Sequence, residues 1–173
     1  MLCKLFAQCY AENVVSCLKK KRGCLDFKGK CSVLKCEENR KVYRLTTEGC
    51  KIAKYHVDSG LINDATQKCD YMLICYGNEC KIVFVELKGN DTNHACDQLK
   101  ATLYLLADRF TKIGNKRFFV RIVNTKSVPN IKTTAHYKNL RAKLNLLNPS
   151  NGEYIKISSR KLDESLSNLE SSK

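Results

Sequence analysis

The sequence predicts a protein of the α/β (α+β) class, with a central mixed sheet flanked by helices. Two apolar segments typical of neighbouring strands, 69–75 and 81–88, are separated only by residues 76–79. An apolar stripe at helical spacing follows them, and a segment rich in Phe, Val and Ile comes next at 117–123. A strand that follows a crossover helix is placed naturally parallel to the strand before that helix. Adjacent antiparallel strands and a later parallel strand together predict the mixed sheet.

Elements are also predicted before this central part. Residues 6–21 have apolar side chains at helical spacing and are predicted to form a helix. Residues 22–39 show no clear period, and Gly23 and Gly29 interrupt them. Strands are predicted at 41–47 and 51–57, with Glu48 and Gly49 forming the turn between them.

The central helix is expected to begin near Asp91 or Thr92, either of which can cap its first turn. Its buried stripe is predicted to comprise Ala95, Leu99, Leu103, Leu106 and Phe110, and Gly114 follows as a stop signal. Beyond Pro129 the sequence predicts a basic amphipathic helix at 134–147 and a short strand at 154–158. A helical tail is predicted to start near Leu162.

Length and composition predict one globular domain spanning residues 1–173, since 43% of the residues are hydrophobic. Within it we distinguish a helical basic N-terminal part (1–40), a core (41–125) and a basic C-terminal extension (126–173). No run of 18 apolar residues indicates a membrane span. The apolar stretch at the start is too short for a signal peptide, and Lys4 interrupts it, so a cytoplasmic location is expected.

The formal net charge of +14 is concentrated at the two ends of the chain. Residues 1–56 carry thirteen Lys and Arg against five acidic residues, and residues 125–161 carry eight against one. A near-neutral centre between basic arms suits a polyphosphate backbone and predicts a nucleic-acid partner. General solubility is the alternative explanation. The candidate phosphate-binding residues form two clusters: Lys19, Lys20, Lys21 and Arg22 in the first, and Lys138, Arg141 and Lys143 in the second.

Eleven cysteines are present, an odd number in a chain without a visible secretion signal. Reduced thiols are therefore expected, in preference to a disulfide framework. A structural zinc site is the alternative, and its best candidate ligands are Cys17, Cys24, Cys31 and Cys36.

The most informative residues are Asp70 and the tripeptide Glu86-Leu87-Lys88. Side chains alternate along a strand, so Glu86 and Lys88 point to the same face, and a hairpin can bring Asp70 beside them. A charged pair on an apolar strand is costly to bury unless it has a purpose. Two carboxylates and an ammonium group suit a divalent cation and an activated water.

This arrangement resembles the PD-(D/E)XK nuclease superfamily, with Asp70, Glu86 and Lys88 in the positions of its motif. Lys68 and Cys69 precede the aspartate, so the motif's proline is missing. The region 55–125 also looks like small uncharacterised bacterial proteins of that superfamily. The resemblance implies a restriction endonuclease-like αβββαβ core, which agrees with the predicted element order.

The resemblance further implies a metal-dependent endonuclease that hydrolyses phosphodiester bonds, with DNA as the expected substrate and RNA as the alternative. Asp70, Glu86 and the backbone carbonyl of Leu87 would hold Mg²⁺ or Mn²⁺, and Lys88 would orient the water. Gln98 lies where some members carry a Q-x-x-x-Y motif, although Thr102 replaces the tyrosine. Glu12 is a candidate for an additional carboxylate on the first helix.

Three interpretations remain open at this point: a DNA nuclease, an RNA nuclease of the same fold, and a silent nucleic-acid-binding or regulatory subunit. The complete Asp70, Glu86 and Lys88 set argues against the silent version. No membrane association is expected. A homodimer would allow two sites to cut two strands, and a partner protein is an alternative. A role in antiviral defence or with mobile elements is compatible with the resemblance.

Overall fold

The computed structural model describes residues 24–58, 61–62, 65–148 and 152–170. Within these ranges the chain forms nine strands: β1 (Leu25–Lys30), β2 (Val33–Glu38), β3 (Lys41–Thr46), β4 (Lys51–His56), β5 (Tyr71–Tyr76), β6 (Cys80–Leu87), β7 (Lys116–Asn124), β8 (Ile155–Ser159) and β9 (Lys161–Ser165). The two α-helices of the described residues are α1 (Thr92–Leu106) and α2 (Ala135–Leu147). The fold is therefore α+β, as predicted. None of the helices in the described ranges is long and apolar enough to cross a membrane.

The main sheet has six strands in the order β1-β4-β5-β6-β7-β8. Its first four strands pair antiparallel, whereas β6, β7 and β8 pair parallel to one another. The predicted mixed sheet is confirmed, and so is the parallel placement of the strand after α1. The predicted strands at 41–47, 51–57, 81–88, 117–123 and 154–158 agree with β3, β4, β6, β7 and β8 to within one residue at each end.

A second sheet has the order β2-β3-β9. Strands β2 and β3 form a hairpin whose two-residue turn, Asn39 and Arg40, has φ angles of 47° and 64°. Positive φ at both turn residues matches the right-handed twist of the flanking strands. Two predictions are wrong here. Residues 25–38, within the part described as helical, form β1 and β2, and the chain from Leu162 forms β9 and a short 3₁₀ turn instead of a helical tail.

Helix α1 begins where the sequence predicts. The side chain of Asp91 caps it by accepting a hydrogen bond from the His94 backbone N–H at 2.9 Å. All five residues of the predicted apolar stripe are buried: Ala95, Leu99, Leu103, Leu106 and Phe110. Helix α2 is capped by Thr134, which accepts a hydrogen bond from Tyr137 N–H. The two helices pack against each other and against β7.

The main sheet is covered differently on its two faces. On the helix face, the Phe84 and Phe118 rings stack at 6.5 Å, and Phe110 meets Phe118 edge-on. On the other face, buried Arg121 of β7 donates a hydrogen bond to Glu164 of β9. The Glu164 carboxylate also accepts a 2.7 Å hydrogen bond from the Tyr43 hydroxyl. Burying this ion pair is costly unless its hydrogen bonds are satisfied, and Arg121 has further acceptors in the carbonyls of Val120, Tyr154 and Leu169. The second sheet is thereby fixed in place behind the strands that carry the motif.

Several predictions lie outside the described residues. They are the helix at 6–21, the basic cluster Lys19, Lys20, Lys21 and Arg22, and the candidate ligands Glu12 and Cys17.

Candidate active site

Asp70 immediately precedes β5, and Glu86 is the penultimate residue of β6. In the register of these antiparallel strands, Tyr71 pairs with Val85, so the next pair along the ladder is Asp70 and Glu86. Residues directly opposite in an antiparallel pair share one face of the sheet. Asp70 also accepts a hydrogen bond from the backbone N–H of Leu87, with 2.7 Å between Oδ2 and N. The two carboxylates therefore meet at the end of the hairpin, as the sequence predicts.

Lys88 completes the charged cluster. Its Nζ lies 3.8 Å from Glu86 Oε1 and donates a 2.7 Å hydrogen bond to Gln98 Oε1. The Lys88 side chain keeps 25% of its surface exposed, whereas Glu86 keeps only 2%. The ammonium group thus lies between a buried carboxylate and solvent, and Gln98 fixes its direction.

Helix α1 holds the segment that leads into Asp70. Gln98 Nε2 donates to the Lys68 carbonyl at 3.0 Å, and the Cys69 backbone N–H donates to Thr102 Oγ1 at 2.8 Å. Thr102 is buried and donates in turn to the Gln98 carbonyl. In the sequence Thr102 stands out only as the residue that breaks the Q-x-x-x-Y pattern. In the structure it anchors the backbone next to Asp70. The only sign of this role in the sequence is a polar residue close to the apolar stripe of α1.

Burial dominates the electrostatics of both carboxylates. It raises the pKa of Asp70 from 3.8 to about 6, although the hydrogen bond from Leu87 N–H acts in the opposite direction. Burial, and then the nearby charge of Asp70, raise the pKa of Glu86 from 4.5 to about 9, partly offset by Lys88. Burial therefore favours the protonated form of Glu86. Shifts of this size in a cluster of charged groups are typical of functional sites.

A third carboxylate, which the sequence pattern did not reveal, acts on the same site. Glu38 ends β2, and its charge raises the pKa of both Asp70 and Glu86. The preceding residue is close to the start of β5, because the Tyr71 hydroxyl donates to the Glu37 carbonyl at 3.4 Å. Asp58, after β4, also raises the pKa of Asp70. Both residues come from other strands, so no local pattern around the motif indicates them.

The oxygen atoms of the site fit Mg²⁺ or Mn²⁺. Glu86 Oε2 is buried and has no hydrogen-bond partner, so a cation at this oxygen would satisfy it. In a strand, the N–H and C=O of one residue point to the same side, so the Leu87 carbonyl points towards Asp70, as its N–H does. Oxygen ligands of this kind suit hard divalent cations. Among the described residues no group of three or more His, Cys, Asp or Glu side chains is placed to hold a metal ion. A cation here would rest on the two carboxylates, the Leu87 carbonyl and waters.

The three basic residues predicted on α2 do not share one side of the helix. Lys138 and Arg141 are exposed and three residues apart, which places them on neighbouring positions of one face. Lys143 is half-buried, and its Nζ lies 4.0 Å from the centre of the Tyr104 ring on α1. Residues two apart on a helix do not face the same way. The exposed positive face of α2 therefore consists of Lys138 and Arg141.

Eight cysteines fall within the described residues, and all are free thiols. Three of them are candidate zinc ligands: Cys24, Cys31 and Cys36. Burial raises the pKa of Cys36 to about 12, which keeps its thiol protonated at neutral pH. Cys69, before β5, and Cys75, within it, are both buried and behave as small apolar residues.

Comparisons with protein-family models, curated proteins and solved structures find no match for this chain.

Proposed function

We propose that this protein is a Mg²⁺- or Mn²⁺-dependent nuclease of the PD-(D/E)XK superfamily, and that it hydrolyses phosphodiester bonds in DNA. The observation that carries the proposal is the pairing of Asp70 with Glu86 at one end of a hairpin, with Lys88 beside them. An unpartnered, buried Glu86 oxygen is destabilising in the absence of a cation. Because this buried oxygen lowers the stability of the fold, its presence favours a functional role for Glu86.

The sheet supports the proposed family. An antiparallel meander, β4-β5-β6, is followed by α1 and then by β7 parallel to β6. This element order is compatible with the βββαβ part of a restriction endonuclease-like core and supports the proposal. Asp70 precedes the second strand of the meander, and Glu86 lies near the end of the third.

In the proposed mechanism, Asp70, Glu86 and the Leu87 carbonyl would hold the cation that acts on the scissile phosphate. The bound cation would polarise the phosphate and lower the pKa of a water ligand. Glu86 would hold the cation as a carboxylate, since metal ligands of this type bind in their deprotonated form. Asp70 is kept in position by Leu87 N–H.

Lys88 orients the attacking water and stabilises the negative charge that develops on the phosphate. Its hydrogen bond to Gln98 holds the ammonium group near Glu86, so little reorganisation is needed during the reaction. Gln98 acts through Lys88 and is therefore a positioning residue. Lys138 and Arg141 bind phosphates away from the cut.

The test is a cleavage assay with plasmid, linear and single-stranded DNA and with RNA, each in Mg²⁺, Mn²⁺ or EDTA. We expect cleavage with either metal and none in EDTA. The variant Glu86→Gln should lose cleavage and retain nucleic-acid binding. Asp108→Asn, an exposed acid after α1, is the control and should cleave as the wild type does. Cleavage of RNA alone would make the protein an RNA nuclease, and binding without cleavage of any substrate would indicate a silent subunit.

A further inference from the structure

A cavity of about 540 Å³ opens at the carboxyl ends of β7 and β8, between the main sheet and the segment leading into α2. In open α/β sheets ligands bind outside the carboxyl ends of the strands. The volume lies within the usual range for small-molecule sites, about 300–1,000 Å³. Five lining residues matter for what it could bind: Asn124, Lys126, Val128, Ile131 and Ile157.

The cavity is close to the candidate active site. The Lys88 backbone N–H donates to the Val123 carbonyl at 3.0 Å, and Thr125 N–H donates to the Gly89 carbonyl at 3.0 Å. Asn124, between these two contacts, lines the cavity. Neighbouring strands are about 4.8 Å apart, so the cavity begins one to two strand spacings, roughly 5–10 Å, from Lys88. A nucleotide adjacent to the scissile phosphate reaches this distance.

Asn124 provides an unpaired acceptor. It is 1% exposed, and its Nδ2 donates to Thr92 Oγ1 at 2.7 Å, which fixes the amide. Its Oδ1 is buried and has no hydrogen-bond partner. A buried acceptor of this kind is normally satisfied, so a ligand that brings a donor into the cavity would be favoured. The amino group of a base or a sugar hydroxyl is such a donor.

The rest of the lining divides into charged and apolar parts. Lys126 is exposed. Lys156 pairs with Arg121, so its side chain lies on the opposite face of the sheet, where its Nζ is 3.5 Å from Glu164 Oε2. Lys132 and Glu153, which also line the cavity, form a 3.1 Å ion pair with each other. The apolar surface comes from Val128, Ile131 and Ile157. An anion next to a flat apolar group with a hydrogen-bond donor fits this lining.

We propose that this cavity binds one nucleotide of the substrate strand, adjacent to the cut, which rests on the proposed nuclease function. Its phosphate lies at Lys126, and its base packs on Val128, Ile131 and Ile157 with a donor towards Asn124. A second cavity of about 570 Å³ adjoins the first, since Lys132 and Tyr137 line both, and Arg141 lines the second. The strand therefore continues from the active site through the nucleotide cavity towards the exposed face of α2.

The experiment measures binding of adenosine monophosphate, deoxyadenosine monophosphate and inorganic phosphate to the full chain by calorimetry in EDTA, where no cleavage occurs. The nucleotides should bind more tightly than phosphate. Lys126→Gln should weaken nucleotide binding about tenfold, the effect of losing one charge-assisted hydrogen bond. Ile157→Trp fills the cavity without changing charge and should remove the preference for nucleotides over phosphate. Lys30→Gln, an exposed lysine on β1 at the opposite edge of the sheet, is the matched control and should change nothing.

The proposal is overturned if nucleotides bind no better than phosphate, or if Lys30→Gln weakens binding as much as the cavity variants do. Circular dichroism and thermal melting of each variant identify any loss of fold, and Lys126→Gln, at an exposed position, keeps the test decisive if Ile157→Trp unfolds. Failure of the nuclease proposal has a separate signature. In that case nucleotides bind in the cavity as described, but no metal supports cleavage of any substrate. Conversely, if Ile157→Trp cleaved fully with an unchanged KM, the cavity would have no part in the reaction, and the nuclease proposal would still hold.

Discussion

The carboxylate of Asp70 accepts a hydrogen bond from the backbone N–H of Leu87, the residue between Glu86 and Lys88. This single hydrogen bond joins the two halves of the motif across neighbouring strands. It also sets the direction of the Leu87 peptide, whose carbonyl points to the same side as its N–H. Asp70 is therefore an acceptor for the strand end, and in the proposed function its charge would also attract a cation.

Substitutions can separate the charge of Asp70 from its role as a hydrogen-bond acceptor. Asp70→Asn keeps an oxygen acceptor for Leu87 N–H but removes the charge, so the fold should melt within a few degrees of the wild type. Cleavage should fall by at least about 10²-fold, since a preorganised charge at the reacting centre is lost. Asp70→Ala also leaves the Leu87 N–H without this acceptor and should lose about 1–3 kcal/mol of stability in addition.

Asp163→Asn, an exposed position on β9, is the control for both variants and should leave cleavage and melting temperature unchanged. Wild-type cleavage by Asp70→Asn would show that the charge of Asp70 has no part in the reaction. Equal stability of Asp70→Asn and Asp70→Ala would show that the Leu87 hydrogen bond contributes nothing.

Glu86 makes stability depend on pH in the absence of a cation. Its pKa of about 9 lies above the ordinary 4.5, so the folded state binds more protons than the unfolded state between these values. The free energy of unfolding should therefore fall as pH rises from 6 to 8 in EDTA, by at most about 1.4 kcal/mol per pH unit for each proton. Denaturant titrations at three pH values measure this slope.

Glu86→Gln carries no titrating proton at this position, so its slope over the same pH range should be flatter. At pH 8 it should be more stable than the wild type in EDTA. Mg²⁺ should stabilise the wild type most at pH 8, because binding to the folded state adds to its free energy of unfolding. Identical slopes for wild type and Glu86→Gln would mean that Glu86 is already ionised at pH 6.

Gln98 should affect the reaction through the position of Lys88. Gln98→Ala removes the acceptor for Lys88 Nζ and should lower kcat by roughly tenfold to a hundredfold, with little change in KM. Gln98→Glu retains an acceptor and should restore part of kcat, which a purely structural role in holding Lys68 would not allow. Gln67→Ala, an exposed position just before β5, is the control. A fall in melting temperature with unchanged kcat would assign Gln98 to stability alone.

The sequence was sufficient for the main sheet and for the meeting of Asp70 with Glu86 and Lys88. Their positions follow from strand periodicity and a short hairpin, which are local properties. The sequence does not predict strand β2, because Lys35, Glu37 and Glu38 are exposed and only two of its positions are apolar and buried. Strand β9 has one buried residue, Leu162, and exists because it pairs with β3, far away in the sequence. The sequence does not predict that Glu38 and Asp58 lie near Asp70, because their positions depend on the pairing of strands that are distant in the sequence.

Glu38 should tune cation binding without being essential. Its charge adds to the field at both carboxylates, so Glu38→Gln should lower the pKa of Asp70 and Glu86 and weaken the attraction of the site for Mg²⁺. Because Glu38 is exposed and screened by solvent, we expect the Mg²⁺ concentration for half-maximal cleavage to rise by only about 2–5-fold. Glu37→Gln is the matched control, since Glu37 forms an ion pair with Lys35 instead. An equal effect of both variants would indicate a general charge effect.

The two sides of α2 should differ in their contribution to nucleic-acid binding. Replacing Lys138 and Arg141 together by Gln should weaken binding to all sequences alike, because phosphate contacts carry no base code. It should also flatten the dependence of log K on log salt by about 0.9 for each duplex phosphate that the variant no longer neutralises. Lys143→Gln should leave the salt slope unchanged, since its ammonium group lies over the Tyr104 ring, and should instead cost about 0.5–1 kcal/mol of stability. Fluorescence anisotropy with a labelled duplex at four salt concentrations measures the slopes. If Lys143→Gln flattened the slope as much as the double variant, the positive surface would run around α2 and the division into two sides would be wrong.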